Sequence, residues 1–189
     1  SSSAWPGPVT FNDSALLNAI KTQWEAATGL TLSTPPQDTE LADARFTTLD
    51  AHGLGISDLT GLEACTQLAS LNLGMNQISD LSPLSGLTTL VSLDLGFGLD
   101  LLATDEEMDL LQTGANLITD ISPLAGLLNL EYLSLMGNDG VISIAAISTM
   151  NSLAQLWLAS NPISDFLPLS DVADTLALLS LVNTGLHNS

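Results

Sequence analysis

Two histidines, one cysteine and a surplus of carboxylates are the groups in this 189-residue chain whose types could support chemistry. His52 and His187 are suited to proton transfer or metal ligation, but they stand at opposite ends of the sequence. No Gly-x-Ser-x-Gly turn, no glycine-rich phosphate loop followed by Lys and no His pair at zinc spacing accompanies them. A carboxylate pair such as Asp50 and Asp94 could in principle do acid–base work on a glycoside. With 21 Asp and Glu in the chain, however, such a pair arises from composition alone. Cys65 would be reactive only as a thiolate, which needs a nearby cation, and its sequence neighbours supply none. The acidic group Asp100, Asp105, Glu106, Glu107 and Asp109 lacks the Asp/Asn-Gly-Glu order of an EF-hand loop. The expectation is a chain that is not an enzyme, with no catalytic residues, no cofactor and no metal site.

The charge balance narrows the partners. Against 21 acids stand two cations, Lys21 and Arg45, for a formal net charge of -19. Nucleic acid and anionic membrane surfaces both require clustered Lys and Arg to replace counterions, so both are excluded as partners. Solubility or salt tolerance explains such a surface; a cationic partner or bound calcium are the sharper readings. An apolar share of 46% is enough for a continuous core, which argues against disorder. No run of 18 apolar residues exists, so no membrane span is expected. The start at Ser1-Ser2-Ser3-Ala4-Trp5 without Met suggests a mature end left by signal removal, or trimming, and makes export plausible. A lone cysteine cannot form an internal disulfide.

The elements that would position any site follow from an internal repeat. Leu68, Leu71, Leu73, Asn76, Ile78, Asp80, Leu81, Pro83, Leu84 and Leu87 form a pattern that returns from Leu90, and again from Leu130, Leu153 and Leu176; a degenerate first copy starts at Phe46. Leucines two apart, as at Leu71 and Leu73, alternate with outward residues as a strand requires. Asn76, Asn116, Asn138 and Asn161 carry both donors and acceptors, and are expected to form an internal ladder that hydrogen-bonds the backbone of adjacent turns. Ile78, Leu81, Leu84 and Leu87 then bring the chain back through turns of 3₁₀ type. Cys65 takes the place of Leu87 and reads as core. The row Asp58, Asp80, Asp120 and Asp165 precedes Gly or Pro by three residues and suits Asx capping of a turn, with a shared cation as the alternative.

These residues resemble the leucine-rich-repeat family, in particular its bacterial internalin-like subclass with the pattern N-x-I-x-D-(I/L)-x-P-L. Asn116 to Leu124 fills it throughout; Asn76 to Leu84 also fits, and Asn161 to Leu169 departs only at Phe166. The resemblance, over residues 46–189, implies an α/β fold: a right-handed solenoid with a parallel concave β-sheet, 3₁₀ and turn segments on the convex side, and an N-terminal helical cap. It also implies recognition of proteins or other ligands by a bacterial secreted or cell-surface protein, or a periplasmic one, and supplies no catalytic residues.

Residues 1–45 are expected to form the cap and linker. Phe11 to Leu30 reads as a helix, with Leu16, Leu17, Ile20, Trp24 and Ala27 at helical spacing. Asn12 is the expected N-cap, Phe11 and Leu16 a hydrophobic staple, and Gly29 the left-handed C-cap. Ser33 to Asp38 is a linker, and Thr39 to Arg45 a short helical turn. Residues 46–189 hold about six repeats, interrupted by a helical excursion near 98–115 that opens with the capping box at Thr104 to Glu107. A smaller insertion lies at Asp139-Gly140, where the coil is expected to be irregular because Ser143 and Ala146 replace the Asp and Pro. The sixth repeat stops at Ser189 without a polar cap, which suggests continuation of the natural chain or association through the open C-terminal edge.

Strand alternation places outward residues on the concave face. The central row runs Asp50, Asn72, Asp94, Ser134, Trp157 and Ser180; the row before it ends in Tyr132, Gln155 and Leu178; following positions include His52, Met75, Phe97 and Met136. Trp beside Tyr, Phe and Met is the composition of an interaction hot spot. Asp50, His52, Asn72, Met75, Asp94, Phe97, Tyr132, Met136, Gln155 and Trp157 are therefore the expected protein-binding residues. Packing of Trp157 and Tyr132 on each other or beneath the excursion is the alternative. Carbohydrate, stacked on the rings and bonded by Asp94 and Asn72, is a second ligand class, and a calcium-stabilised structural module a third reading.

Overall fold

The computed structural model describes residues 7–97 and 116–181. Among the described residues six three-residue strands make one parallel sheet in sequence order: β1 (Thr48–Asp50), β2 (Ser70–Asn72), β3 (Ser92–Asp94), β4 (Tyr132–Ser134), β5 (Gln155–Trp157) and β6 (Leu178–Ser180). The pairing has no slip. Leu49, Leu71, Leu93, Leu133, Leu156 and Leu179 form one cross-strand row, and the first five of these leucines are fully buried. A one-residue shift would turn this row to solvent, so burial of one face fixes the register.

Each coil returns through a 3₁₀ turn, at Leu62–Ala64, Ser82–Leu84, Ser122–Gly126, Ala145–Thr149 and Leu167–Asp171. The Asp row explains why the turn starts where it does. Asp58, Asp80, Asp120 and Asp165 each accept the N–H two residues on, from Thr60, Ser82, Ser122 and Leu167, at 2.8–2.9 Å. A proline then follows in three of the four coils, fixing φ for the turn. The Thr60 side chain and then its N–H hold the Asp58 carboxyl below its ordinary range, and the Ser122 N–H leads in doing the same for Asp120. Around Ser143 the turn persists with only a long contact of 3.4 Å from the Ala145 N–H to the Ser143 hydroxyl. The coil expected to be irregular therefore keeps its 3₁₀ segment.

Asn76, Asn116, Asn138 and Asn161 are all buried, at 5% exposure or less. Asn76 accepts from the Leu54 and Ile56 N–H groups of the preceding coil, both at 3.0 Å, and donates to the carbonyls of Ala51, Leu73 and Gly74. Asn116 repeats this, accepting from Ile78 and donating to Leu73 and Leu95, and Asn138 accepts from Ile118 and donates to Leu95 and Leu135. Asn161 donates to three carbonyls, but its Oδ1 has no partner. The extra residue between Asn138 and Val141 displaces the N–H that the pattern would aim at it. The residue before the amide is left-handed in three coils: Met75, Gly137 and Ser160 have φ between 54° and 72°. That turn swings the next side chain inward.

Helix α1 (Ser14–Thr28) buries Leu16, Ile20 and Trp24 in the same core as the repeats. Its N-cap is Asp13, not Asn12: the Asp13 carboxylate accepts from the Ala15 and Leu16 N–H groups. A carboxylate at a helix N-terminus also gains from the macrodipole, which a neutral amide does not. Asn12 instead bonds Asp58 at 2.9 Å, and Phe11 lies over Gly61. Gly29, at φ 70°, closes the helix as expected. Helix α2 is shorter than expected, Asp38–Leu41, and is capped by Gln37 and Glu40. The excursion near 98–115 and the last turn, 182–189, lie outside the described residues, as does Trp5.

The first strand is an edge that would otherwise present unpaired backbone. Gln23 on α1 covers it: its side-chain amide donates to the Asp50 carbonyl at 2.6 Å and accepts the Asp50 N–H at 2.9 Å, standing in for a missing strand.

Candidate partner-binding face

The outward row of the sheet is Asp50, Asn72, Asp94, Ser134, Trp157 and Ser180, in pairwise register. Its first half is polar for a local reason. Asp50, Asn72 and Asp94 each fold their side-chain oxygen onto the N–H two residues on, of His52, Gly74 and Gly96, at 3.2, 3.0 and 2.9 Å. These Asx turns end the strand and start the bend towards the ladder. Asp50 stays exposed, and Asn72 and Asp94 are half-buried.

The second half is aromatic. Tyr132 and Trp157 are half-buried on adjacent strands, and Gln155 is exposed beside them. Ser134, between Asp94 and Trp157, is only 1% exposed although it points away from the leucine row. Burial, and then the negative charge of Asp94, push the Tyr132 phenol up to about 12, with the Ser134 bond opposing the rise.

The four residues expected after the strands divide into two rows. By register His52 and Met136 share one with Gly74, Gly96 and Ala159; Met75 and Phe97 share the next with Gly53, Gly137 and Ser160. Phe97 and Met136 are not contact surface: they are 3% and 1% exposed and pack with Ala159 into a small second core. Glycine makes this possible, since a Cβ on Gly137 would overlap the Phe97 ring. Met75 and Trp157 lie half-buried on top of that cluster. The structure thus seats Trp157 and Met75 on the two buried side chains, and sets Asp94 near Tyr132 on the neighbouring strand. His52 and Asp50 sit at the β1 end, and Gln155 towards β6. Sequence reasoning missed Ala159 and Gly137, whose small size alone gives Phe97 and Met136 their seats.

Among the described residues no group of three or more His, Cys, Asp or Glu is placed to hold a metal ion. Cys65 is buried, and burial, aided by Glu63, pushes its thiol up to about 12. Among the described residues no helix is long and apolar enough to cross a membrane.

No protein-family model matches the sequence, and no curated protein does. Solved structures do. The crystal structure of an internalin from Listeria monocytogenes aligns with 97% of this chain at a TM-score of 0.75 and 29% identity. The chain has the internalin-type leucine-rich-repeat fold. It spans about half of that relative, 47% of its length. A secreted internalin-like protein of the same organism shares the architecture at a TM-score of 0.58, over 97% of this chain and 60% of that one, with 17% identity. Paired strands lie roughly 4.8 Å apart, which sets the spacing of outward residues on successive strands. Asp94 and Trp157 therefore stand about two strand spacings apart, on either side of the buried Ser134.

Proposed function

We propose that this solenoid is a non-catalytic recognition module that binds a protein partner through its concave sheet, within a bacterial secreted or cell-surface protein. The observation that carries the reading is Trp157, half-buried and seated with Met75 on the buried Phe97–Met136–Ala159 cluster, with the half-buried Tyr132 on the adjacent strand. A ring held from below offers a large contact area and loses little side-chain freedom on binding, which is the profile of an interface anchor. Residues 46–189 carry this face, with residues 1–45 closing the first coil. The likeness to the secreted internalin-like protein supports an extracellular address.

The test is affinity capture from the protein's natural surroundings with Trp157→Ala and Tyr132→Ala. Loss of capture with a nearly unchanged thermal midpoint supports the proposal; undiminished capture by both variants refutes it. A glycan array run with the same variants separates the carbohydrate alternative, which predicts a Trp157-dependent sugar signal in place of a protein band.

A further inference from the structure

We infer that the occupant of the concave sheet is a cationic protein segment, rich in Arg or Lys, whose charges meet Asp50 and Asp94 and whose stems lie on the Tyr132 and Trp157 rings. This rests on the concave-face reading above.

Charge partition along the chain supplies the first argument. Both cations, Lys21 and Arg45, precede Phe46, and Arg45 is taken by an ion pair with Asp43 at 2.6 Å. From Phe46 onward every residue is neutral, histidine or acidic. An acidic partner laid on this sheet would find no Lys or Arg to answer its charge and would be repelled by the net charge of -19. A basic one would be steered towards it.

Asn72 supplies the second. It makes the same turn bond as Asp50 and Asp94 with a neutral amide. The turn therefore needs an oxygen and not a charge, and the two carboxylates on either side carry a charge that the local fold does not require. Asp94 also lies close enough to Tyr132 for its charge to act on the phenol. A guanidinium received between that carboxylate and the rings gains ion pairing and cation–π attraction together, which neither group offers alone.

The experiment uses the full chain and a fluorescent peptide of alternating Arg and Tyr, with a citrulline-for-Arg counterpart as the neutral isostere. Affinity is followed by anisotropy at low and physiological salt. Asp50→Asn combined with Asp94→Asn should weaken the Arg peptide roughly fivefold, from two ion pairs of modest strength, while keeping both turn bonds. Asp80→Asn combined with Asp120→Asn removes the same charge from the convex turns and should leave affinity within about twofold, since those charges are beyond a screened reach. Equal loss in both pairs, or equal binding of the citrulline peptide, overturns the inference. Loss with Trp157→Ala but not with the Asp50 and Asp94 pair removes the cationic partner and leaves the concave face standing. Indifference to Trp157→Ala and to both acid pairs removes both.

Discussion

Replacing Asn76 by Ala should destabilise the chain far more than the same change at Asn161, although the two side chains are equally buried and occupy equivalent places in their coils. The difference lies in what each amide oxygen does. Asn76 Oδ1 is the acceptor for two N–H groups, of Leu54 and the buried Ile56, both at 3.0 Å. Asn161 Oδ1 accepts from none. An orphaned buried donor costs about 1–3 kcal/mol, and an under-satisfied carbonyl less, because it has a second lone pair. Of the carbonyls that Asn161 serves, that of Ala159 also receives the Gly137 N–H. Asn76→Ala is therefore expected to cost about 3–5 kcal/mol and Asn161→Ala about 1–2 kcal/mol, a gap on the order of 2 kcal/mol. Against a total of roughly 5–15 kcal/mol the first is a large fraction. Urea unfolding followed by far-UV circular dichroism should show it as a midpoint shift of about 1–2 M for Asn76→Ala and about half that or less for Asn161→Ala. Equal shifts, or a midpoint for Asn76→Ala indistinguishable from the parent, would refute the reasoning that coil-to-coil donors and not burial set the value of the ladder.

Tyr132 is the only tyrosine, so absorbance titration of the native chain reads it alone. Its midpoint should fall near 12, and Asp94→Asn should lower it. Because the folded value lies above the unfolded one of about 10, this group's contribution to stability is complete below pH 10 and is lost as pH rises towards 12, so the native state should weaken across that window. Cys65 should resist a thiol reagent at pH 8 in the native state and react at once in denaturant; rapid native labelling would contradict its place in the core. Gly137→Ala should displace Phe97 and strain a left-handed residue, lowering the thermal midpoint by several degrees; an unchanged midpoint would contradict the seating of that ring. Gln23→Ala should uncover the edge of β1 and raise concentration-dependent association, measured by light scattering.

The repeat made the scaffold readable. Spacing of Leu71 and Leu73, the Asn positions and the Asp-x-x-Pro turns each carry one local meaning, and stacking makes them agree from coil to coil. The helix cap at Asp13 was less legible, because Asn12 and Asp13 are both good N-caps and only the docking of Asn12 on Asp58 decides between them. On the outward side of the sheet, alternation located Asp50, Asn72, Asp94, Tyr132, Gln155 and Trp157, since period two is a backbone property. It failed past the strand ends. Phe97 and Met136 looked outward by count, but they turn down because Gly137 and Ala159 leave room, and such room is set by neighbours some 20–40 positions away in sequence. Met75 shows the same limit: its left-handed backbone, φ 54°, follows from the coil and not from its residue type.

The most direct measurement of the concave-face account is photo-crosslinking with benzoylphenylalanine placed at Gln155, exposed on β5, and in a second variant at Ser148 on the 3₁₀ turn of the opposite side. The account predicts partner adducts from position 155 and none from position 148. Adducts from position 148 alone, or equally from both, would contradict it.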